Sequence, residues 1–382
     1  MNSDPIFPYY HGTGSNGIPP AGFPLPNRER TCYHGENTPG PPGKEEMGRR
    51  LKLYRFLLWS LAFVPGPSIL QAAEITPFYT QNQSPLVQIF GLPSIGDAAL
   101  AGQGKTSARL TVDLANNFVD DRNPRESLLL DGESVRISLD ARYGIRRDWE
   151  IGVGIPYRIQ SGGFLDGFIE SYHNAFGFPQ GGRDRAPRNR LLYRYVKDGQ
   201  ERLKVGDSSS GVGDMSVTGG WQAWGAKGEP SAGALRASLK FPTGSSSRLH
   251  GSGSWDGSLW MVGSHDWKVT HGHLTLFGAA GLMGMTGGDV LESQQRRWVG
   301  FGALGMGWSP VRWIAFKVQA NGHTSFYKDS DLRELAHHSI QLTLGGTLAF
   351  SERLSLDLGV TEDVVVKTSP DVVFHLALRG TF

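Results

Sequence analysis

"PDVVFHLALRGTF", residues 370–382, decides the fold. Val372, Phe374, Leu376, Leu378 and Phe382 share one face of an extended strand, while His375, Ala377, Arg379 and Thr381 share the other. A soluble domain usually lets its last residues fray, whereas this strand runs on to a final aromatic without a turn. It is expected to close against the first strand of the sheet, which leaves no edge and no tail.

The same period-two pattern recurs upstream. In "RLSLDLGV" (353–360) Leu354, Leu356, Leu358 and Val360 oppose Arg353, Ser355 and Asp357. In "SVRISLDARYGI" (134–145) Val135, Ile137, Leu139, Ala141 and Tyr143 oppose Arg136, Ser138, Asp140 and Arg142. A soluble sandwich would turn the charged face to water; a membrane barrel turns the apolar face to lipid and the charges inward. Transmembrane strands need roughly 9 to 11 residues, and strands are predicted at 106–114, 133–145, 149–159, 213–225, 232–242, 254–268, 272–284, 297–309, 311–324, 338–350, 353–362 and 371–382.

The links between them choose between the two folds. Those at 146–148, 226–231, 269–271, 309–310 and 351–352 are short, and those at 115–132, 160–212, 243–253, 285–296 and 325–337 are longer. Short turns on the periplasmic side and long loops outside give this alternation. Aromatic residues near strand ends, among them Trp149, Tyr157, Trp221, Trp255, Trp298 and Trp308, suit membrane interfaces. The fold class is therefore all-β: a transmembrane antiparallel up-and-down barrel of about twelve strands, with a short helix in the longest outer loop.

Composition agrees. A net charge of +2 over 382 residues gives no reason to expect a nucleic-acid partner, and 52 glycines with 10% aromatic residues favour tight turns and strands. The lone Cys32 excludes an intramolecular disulfide and a cysteine metal site. No histidine pair has zinc-site spacing, so no metal and no cofactor is expected. Oligomeric state is not readable.

Four regions follow. In 47–73, Arg49, Arg50, Lys52 and Arg55 precede the apolar run Phe56 to Val64, then Pro65, Pro67 and the small Ala72 and Ala73, the pattern of a cleaved secretory signal. Residues 1–46, rich in Pro and Gly, are expected to be disordered or a misassigned extension, with Met47 as the true start. Residues 74–105 are read as a periplasmic N-terminal segment and 106–382 as the barrel.

Candidate functional residues fall into groups. Alternation turns Arg109, Asp113, Arg136, Asp140, Arg142, Glu150, Arg158, Arg236, Lys240, Lys317, Asp357 and Arg379 into the lumen, because an Arg or Lys facing mid-membrane lipid costs roughly 2 to 4 kcal/mol. They line a narrow polar pore or form a salt-linked plug. In the 160–212 loop, Leu165, Phe168, Ile169, Tyr172 and Phe176 recur at helical spacing with Gly177 as a stop. That helix is read as a constriction over the mouth, as a membrane-surface element, or as a compact loop. Arg183, Arg185, Arg188 and Arg190 follow it; they suit an anion or lipopolysaccharide, or a solvated rim paired with nearby carboxylates. "VKDGQ" (196–200) reads as the turn of a ribbon spanning 190–205.

Two resemblances add to this reading. The terminal strand, with Leu376, Leu378 and Phe382 on one face, resembles the signal by which bacterial outer-membrane barrels are recognised for assembly; it implies the barrel assembly machinery as a partner. Over nearly its whole mature length the chain resembles the bacterial family called domain of unknown function 3187, on "QNQSPLVQIFGLPS" (81–94) and "GGFLDGFIESYHNAFGFPQGGRDRAPRNR" (162–190). That resemblance implies an outer-membrane barrel and supplies no activity. Passage of a small solute or lipid-like molecule regulated by the 160–212 loop is the leading expectation. A structural or surface-binding barrel competes closely, and an outer-membrane lipid hydrolase built on serines and histidines such as His250, Ser264, His265 and His337 is the distant alternative. The chain is otherwise expected not to be an enzyme.

Overall fold

Lipid on one side and a polar interior on the other impose a single rule on every spanning strand: alternate residues must be apolar. The computed structural model describes residues 73–176, 186–364 and 369–382, and its strands obey that rule. They are β1 (Thr106–Arg122), β2 (Glu126–Arg146), β3 (Trp149–Ser161), β4 (Leu192–Lys197), β5 (Gln200–Val205), β6 (Ser209–Val212), β7 (Ser216–Trp224), β8 (Ser231–Lys240), β9 (Asp256–Lys268), β10 (His273–Met285), β11 (Trp298–Val311), β12 (Ile314–His323), β13 (Ser339–Ala349), β14 (Leu354–Asp363) and β15 (Val372–Thr381).

Twelve of these close a barrel: β1 to β3 and β7 to β15, each antiparallel to its neighbour. Closure is made by β15 against β1, in register from Ser107 opposite Thr381 to Asn116 opposite Val372. At its foot the Thr106 and Phe382 backbones exchange hydrogen bonds of 3.0 and 2.8 Å. The final strand therefore has the first as its partner.

The outer surface carries the apolar face. Leu110, Leu139, Ile151, Val153, Leu259, Met261, Leu282, Leu304, Phe316, Leu344, Leu376 and Leu378 are all exposed. Trp149, Trp221, Trp224, Trp267, Trp308 and Trp313 ring one end of this band, and Trp255 and Trp298 stand at the other. From Trp298 to Trp308 along β11 is about 33 Å at roughly 3.3 Å per residue, which a tilt of about 40° shortens to about 25 Å, the height of a barrel's apolar band. Trp260 departs from this pattern: it faces inward, and its indole N–H donates to the Ile95 carbonyl at 2.8 Å.

Two regions differ from the sequence reading. The expected 115–132 loop is a continuation of β1 and β2, paired up to Arg122 opposite Ser127 and linked by 123–125 alone. Beyond the membrane no lipid enforces alternation, so "ANNFVDDRNPRE" gives no period although its backbone stays paired. Within 160–212 lie the helix Asp166–Phe176 and a ribbon of β4 and β5, turned at Asp198 (φ 51°) and Gly199 (φ 75°). Two successive positive φ values are what a two-residue hairpin turn requires. β4 pairs with the outer part of β2, from Glu126 opposite Lys197 to Asp131 opposite Leu192.

The larger difference concerns the segment before β1. The sequence places residues 74–105 below the barrel; the structure runs residues 73–105 inside it. Ile75, Phe78, Leu86, Val87, Ile89, Phe90, Leu92 and Ile95 are all buried. An aqueous periplasm would leave that apolar surface wet, whereas the lumen removes it from water. Residues 1–72, with the predicted signal and extension, lie outside the described residues, as do Arg183 and Arg185 and the side chains of Tyr172 and Phe176.

Candidate functional site: the occupied lumen

The 73–105 segment enters at the end of the barrel where the short turns lie, climbs one wall, turns near the long-loop end and descends another. At entry, Glu74 lies 3.0 Å from Arg379 and 3.2 Å from Lys227, in the β7–β8 turn. On the way up, Lys317 donates to the Thr76 carbonyl at 3.1 Å, Gln319 accepts from the Phe78 N–H at 2.8 Å, and Asn82 meets the His323 ring at 2.9 Å. Pro85 sits inside the turn, where the Val87 and Gln88 N–H groups both donate to the Ser84 carbonyl at 2.9 Å; a proline there pre-sets φ for the chain reversal.

On the way down, the Gly91 N–H donates to Asp256 at 2.7 Å, Arg236 donates to the Asp97 carbonyl at 2.7 Å, and Glu150 accepts from the Ala101 N–H at 2.9 Å. Gly104 then bonds to the Gly144 carbonyl at 2.8 Å, next to the start of β1. Both ends of the segment thus lie at the short-turn mouth, beside the start of β1. An extended segment has no ladder of its own, so its backbone groups must find partners elsewhere; the inward polar side chains supply them.

All twelve residues read as lumen-facing lie on the inner face of the barrel. They meet each other and the segment. Asp97 sits 3.6 Å from Arg109 and 3.4 Å from Arg379; Glu150 is 2.5 Å from Arg236 and 3.8 Å from Arg142. Lys240 lies between Asp214 at 2.6 Å and Asp256 at 3.1 Å, and Lys317 bonds Asp357 at 3.0 Å. Asp140 accepts from the Tyr79 hydroxyl at 2.9 Å, and the Arg109 guanidinium stacks over the same ring at 4.3 Å. Asp113 takes His375 at 2.6 Å and Arg136 at 3.6 Å, and Arg158 donates to the Gln88 carbonyl. Buried charge is tolerated only when paired. Asp97, Asp214, Asp256 and His375 complete these pairs, and sequence reading missed them. Asp97 belongs to the segment placed outside, and His375 was assigned the right face without a partner.

Above the charges the lumen turns apolar. Leu86, Val87, Ile89 and Phe90 of the segment join Leu128, Leu130, Tyr193, Tyr195, Val290, Phe326 and Tyr327 in one buried cluster. Phe90 stacks on Phe326 at 4.9 Å, and the Tyr327 hydroxyl donates to the Leu86 carbonyl at 2.8 Å. Tyr195 is fastened by Glu126 at 2.7 Å and Gln294 at 3.1 Å. The mouth is therefore covered by the β4–β5 ribbon and neighbouring loops. The space left between the segment and β2, β3, β7 and β8 is a cavity of about 60 Å3, room for a few waters.

The loop helix is elsewhere. Glu133, on the outward face of β2, accepts hydrogen bonds from the N–H groups of Phe164 and Leu165 at 2.9 and 2.5 Å, and Asn116 bridges Glu133 to Asp166 at 3.3 and 3.2 Å. The Phe168 ring lies 6.4 Å from the outward Phe374. Leu165 and Ile169 are buried and Phe168 is exposed, so the helix rests on the outer wall rather than across the mouth. Arg188 pairs with Glu170 and Arg190 with Asp131 at 2.6 Å. Leu376, Leu378 and Phe382 share the exposed lipid-facing side of β15. His250 bonds Ser209 at 3.1 Å, and burial, with Arg158 and Arg248 nearby, holds its imidazole below the ordinary pKa. Among the described residues, no group of three or more His, Cys, Asp or Glu is placed to hold a metal ion.

Residues 55–382 match the model of the DUF3187 family, described as protein of unknown function. No curated protein matches the chain. Among solved structures, it is similar to an outer membrane channel from Pseudomonas putida F1, with 11% identity and a TM-score of 0.48 over 75% of this chain and 98% of that one. CdiB from Acinetobacter baumannii is similar at 9% identity and a TM-score of 0.35, over 72% of this chain and 60% of that one. The translocator domain of the autotransporter NalP from Neisseria meningitidis gives 9% and 0.35, over 74% and 89%.

Proposed function

We propose that this chain, which belongs to the DUF3187 family of proteins of unknown function, is an outer-membrane channel held shut by its own 73–105 segment and opened by withdrawal of that segment toward the periplasm. The observation that carries the reading is the occupied lumen. A site for a small solute usually needs about 300 to 1,000 Å3, and the cavity beside the segment has about 60 Å3. Passage of a small solute or lipid-like molecule then requires the segment to move. Because Glu74 and Gly104 both bond at the periplasmic mouth, it can leave from below without being unthreaded. The 160–212 loop contributes through its ribbon, whose Tyr193 and Tyr195 seal the outer mouth.

In this reading the chain is exported through a cleaved signal at 47–73, handed to the assembly machinery by its terminal strand, and seated among lipopolysaccharide. Within the basic run 183–190, Arg188 and Arg190 face the carboxylates of Glu170 and Asp131 and so form a paired rim rather than a lipid contact. A barrel with a permanently filled lumen and a structural or binding role is the second reading, favoured by the continuous outer cluster around Phe90. Swelling of liposomes carrying the protein in iso-osmotic sugars separates the two. Swelling is expected for a variant lacking 75–103 and for a charge-loosened Asp97→Asn variant at a lower rate. No swelling from either, with the barrel folded, would leave the structural reading.

A further inference from the structure

On adjacent strands, Arg136 of β2 and Arg158 of β3 stand directly opposite each other in the ladder. Both face the lumen and both are buried, 7% and 4% exposed. Like charges directly opposite across a ladder repel, and two guanidiniums in a low-dielectric interior repel more strongly. The usual remedy is a carboxylate between them. Among the described residues none is in contact with Arg158: its hydrogen bond goes to the Gln88 carbonyl, and its Nε and Nη1 groups are buried without an acceptor there. Arg136 leans toward Asp113 at 3.6 Å, beyond hydrogen-bond range, and its Nε and Nη1 are likewise without an acceptor.

Both side chains line the cavity of about 60 Å3. The other charged groups on that wall are Arg142, Lys240, Asp140 and Asp214. Asp214 is engaged by Lys240 at 2.6 Å and by the N–H groups of Gly244 at 2.8 Å and Ser252 at 3.1 Å, so its oxygens are already occupied and it attracts Arg158 only at longer range. Asp140 takes the Tyr79 hydroxyl. Arg136, Arg142 and Lys240 also have Asp113, Glu150 and Asp256 at 3.6, 3.8 and 3.1 Å, which leaves Arg158 as the cation on this small polar space with no carboxylate in contact among the described residues. Water in it would satisfy hydrogen bonds but not charge, and a buried ion without a counter-charge is strongly disfavoured.

We propose that this cavity holds a small inorganic anion between Arg136 and Arg158, as an integral part of the closed barrel. The Ser138 hydroxyl, buried on the same inner face of β2 and also without a protein acceptor, adds a neutral donor. The anion replaces the carboxylate that the sequence does not provide there, and it ties β2 and β3 to the turn of the 73–105 segment through Gln88.

The test uses the folded full-length mature barrel in detergent. Crystals soaked in sodium bromide are expected to show an anomalous peak between the two guanidiniums. In solution, the thermal unfolding midpoint is compared in gluconate, chloride and sulfate at matched ionic strength. A higher midpoint in chloride or sulfate than in bulky gluconate supports the site; chloride alone assigns a halide and sulfate an oxyanion. Arg158→Gln, which keeps a donor for Gln88, should weaken the anion's apparent affinity by about tenfold or more and be no less stable than the parent in gluconate. Arg136→Gln serves if that variant does not fold. Equal midpoints in all three salts with no bromide peak would overturn the proposal, as would an Arg158→Gln barrel with undiminished chloride dependence. The anion belongs to the closed state, so its presence is decided independently of whether the channel ever conducts.

Discussion

The 73–105 segment and the Asp166–Phe176 helix exchange the parts their sequences suggest. The helix looks like a lid, being amphipathic and set in the longest loop, yet it rests on the outer wall against Glu133 and Asn116. The segment looks like a connector, having no period, yet it fills the lumen. The difference lies in what each needs from its surroundings. A helix satisfies its own backbone and asks only for a surface on one side. An extended chain needs partners along its whole length, and only the polar interior of the barrel supplies them while also burying Phe78, Ile89 and Phe90.

That contrast sets a scale of expected effects. Truncating Phe90 to Ala removes a buried ring stacked on Phe326 and should cost about 4 kcal/mol, read as a fall in the urea midpoint of the barrel in lipid vesicles. Asp97→Asn strips the carboxylate facing Arg109 and Arg379; a loss of about 3 kcal/mol is expected, together with intermittent conductance. A loss confined to stability, with no conductance, would detach the charge network from gating. Glu133→Ala releases the helix start from the wall and should cost about 2 kcal/mol, with protease cutting in 164–176 and no change in conductance. Conductance appearing here would return the gate to the helix. Smallest of all, Arg188→Gln removes the exposed partner of Glu170, and the midpoint should fall only slightly.

Strand positions were legible because lipid writes them into the sequence. Leu354, Leu356 and Leu358 cannot turn inward without exposing Asp357 to the membrane, so parity alone separates wall from lumen. The closure of β15 on β1 follows from the same argument. Where lipid ends, the signal ends: the outer extensions of β1 and β2 carry "NNFVDD" and "ESLLLD" with no steady period, although their backbones remain paired. The segment left one trace that parity could not read. "PLVQIFGL" (85–92) is too apolar to stay in water, and asking where Leu86, Val87, Ile89 and Phe90 would be buried points toward the lumen. Its partners could not be read, because the contacts of Asp97 with Arg379 and of Asn82 with His323 join residues remote in sequence by geometry alone.

The most direct test of the occluded lumen is single-channel conductance in planar bilayers of three proteins: the intact mature barrel, a variant lacking 75–103, and a variant lacking the helix region 163–188. Each is first shown to be folded by heat-modifiable gel mobility. The account predicts an intact barrel that is closed for most of the record, steady large steps when 75–103 is removed, and an unchanged closed barrel when 163–188 is removed. Steps from the helix deletion with silence from the 75–103 deletion would contradict it.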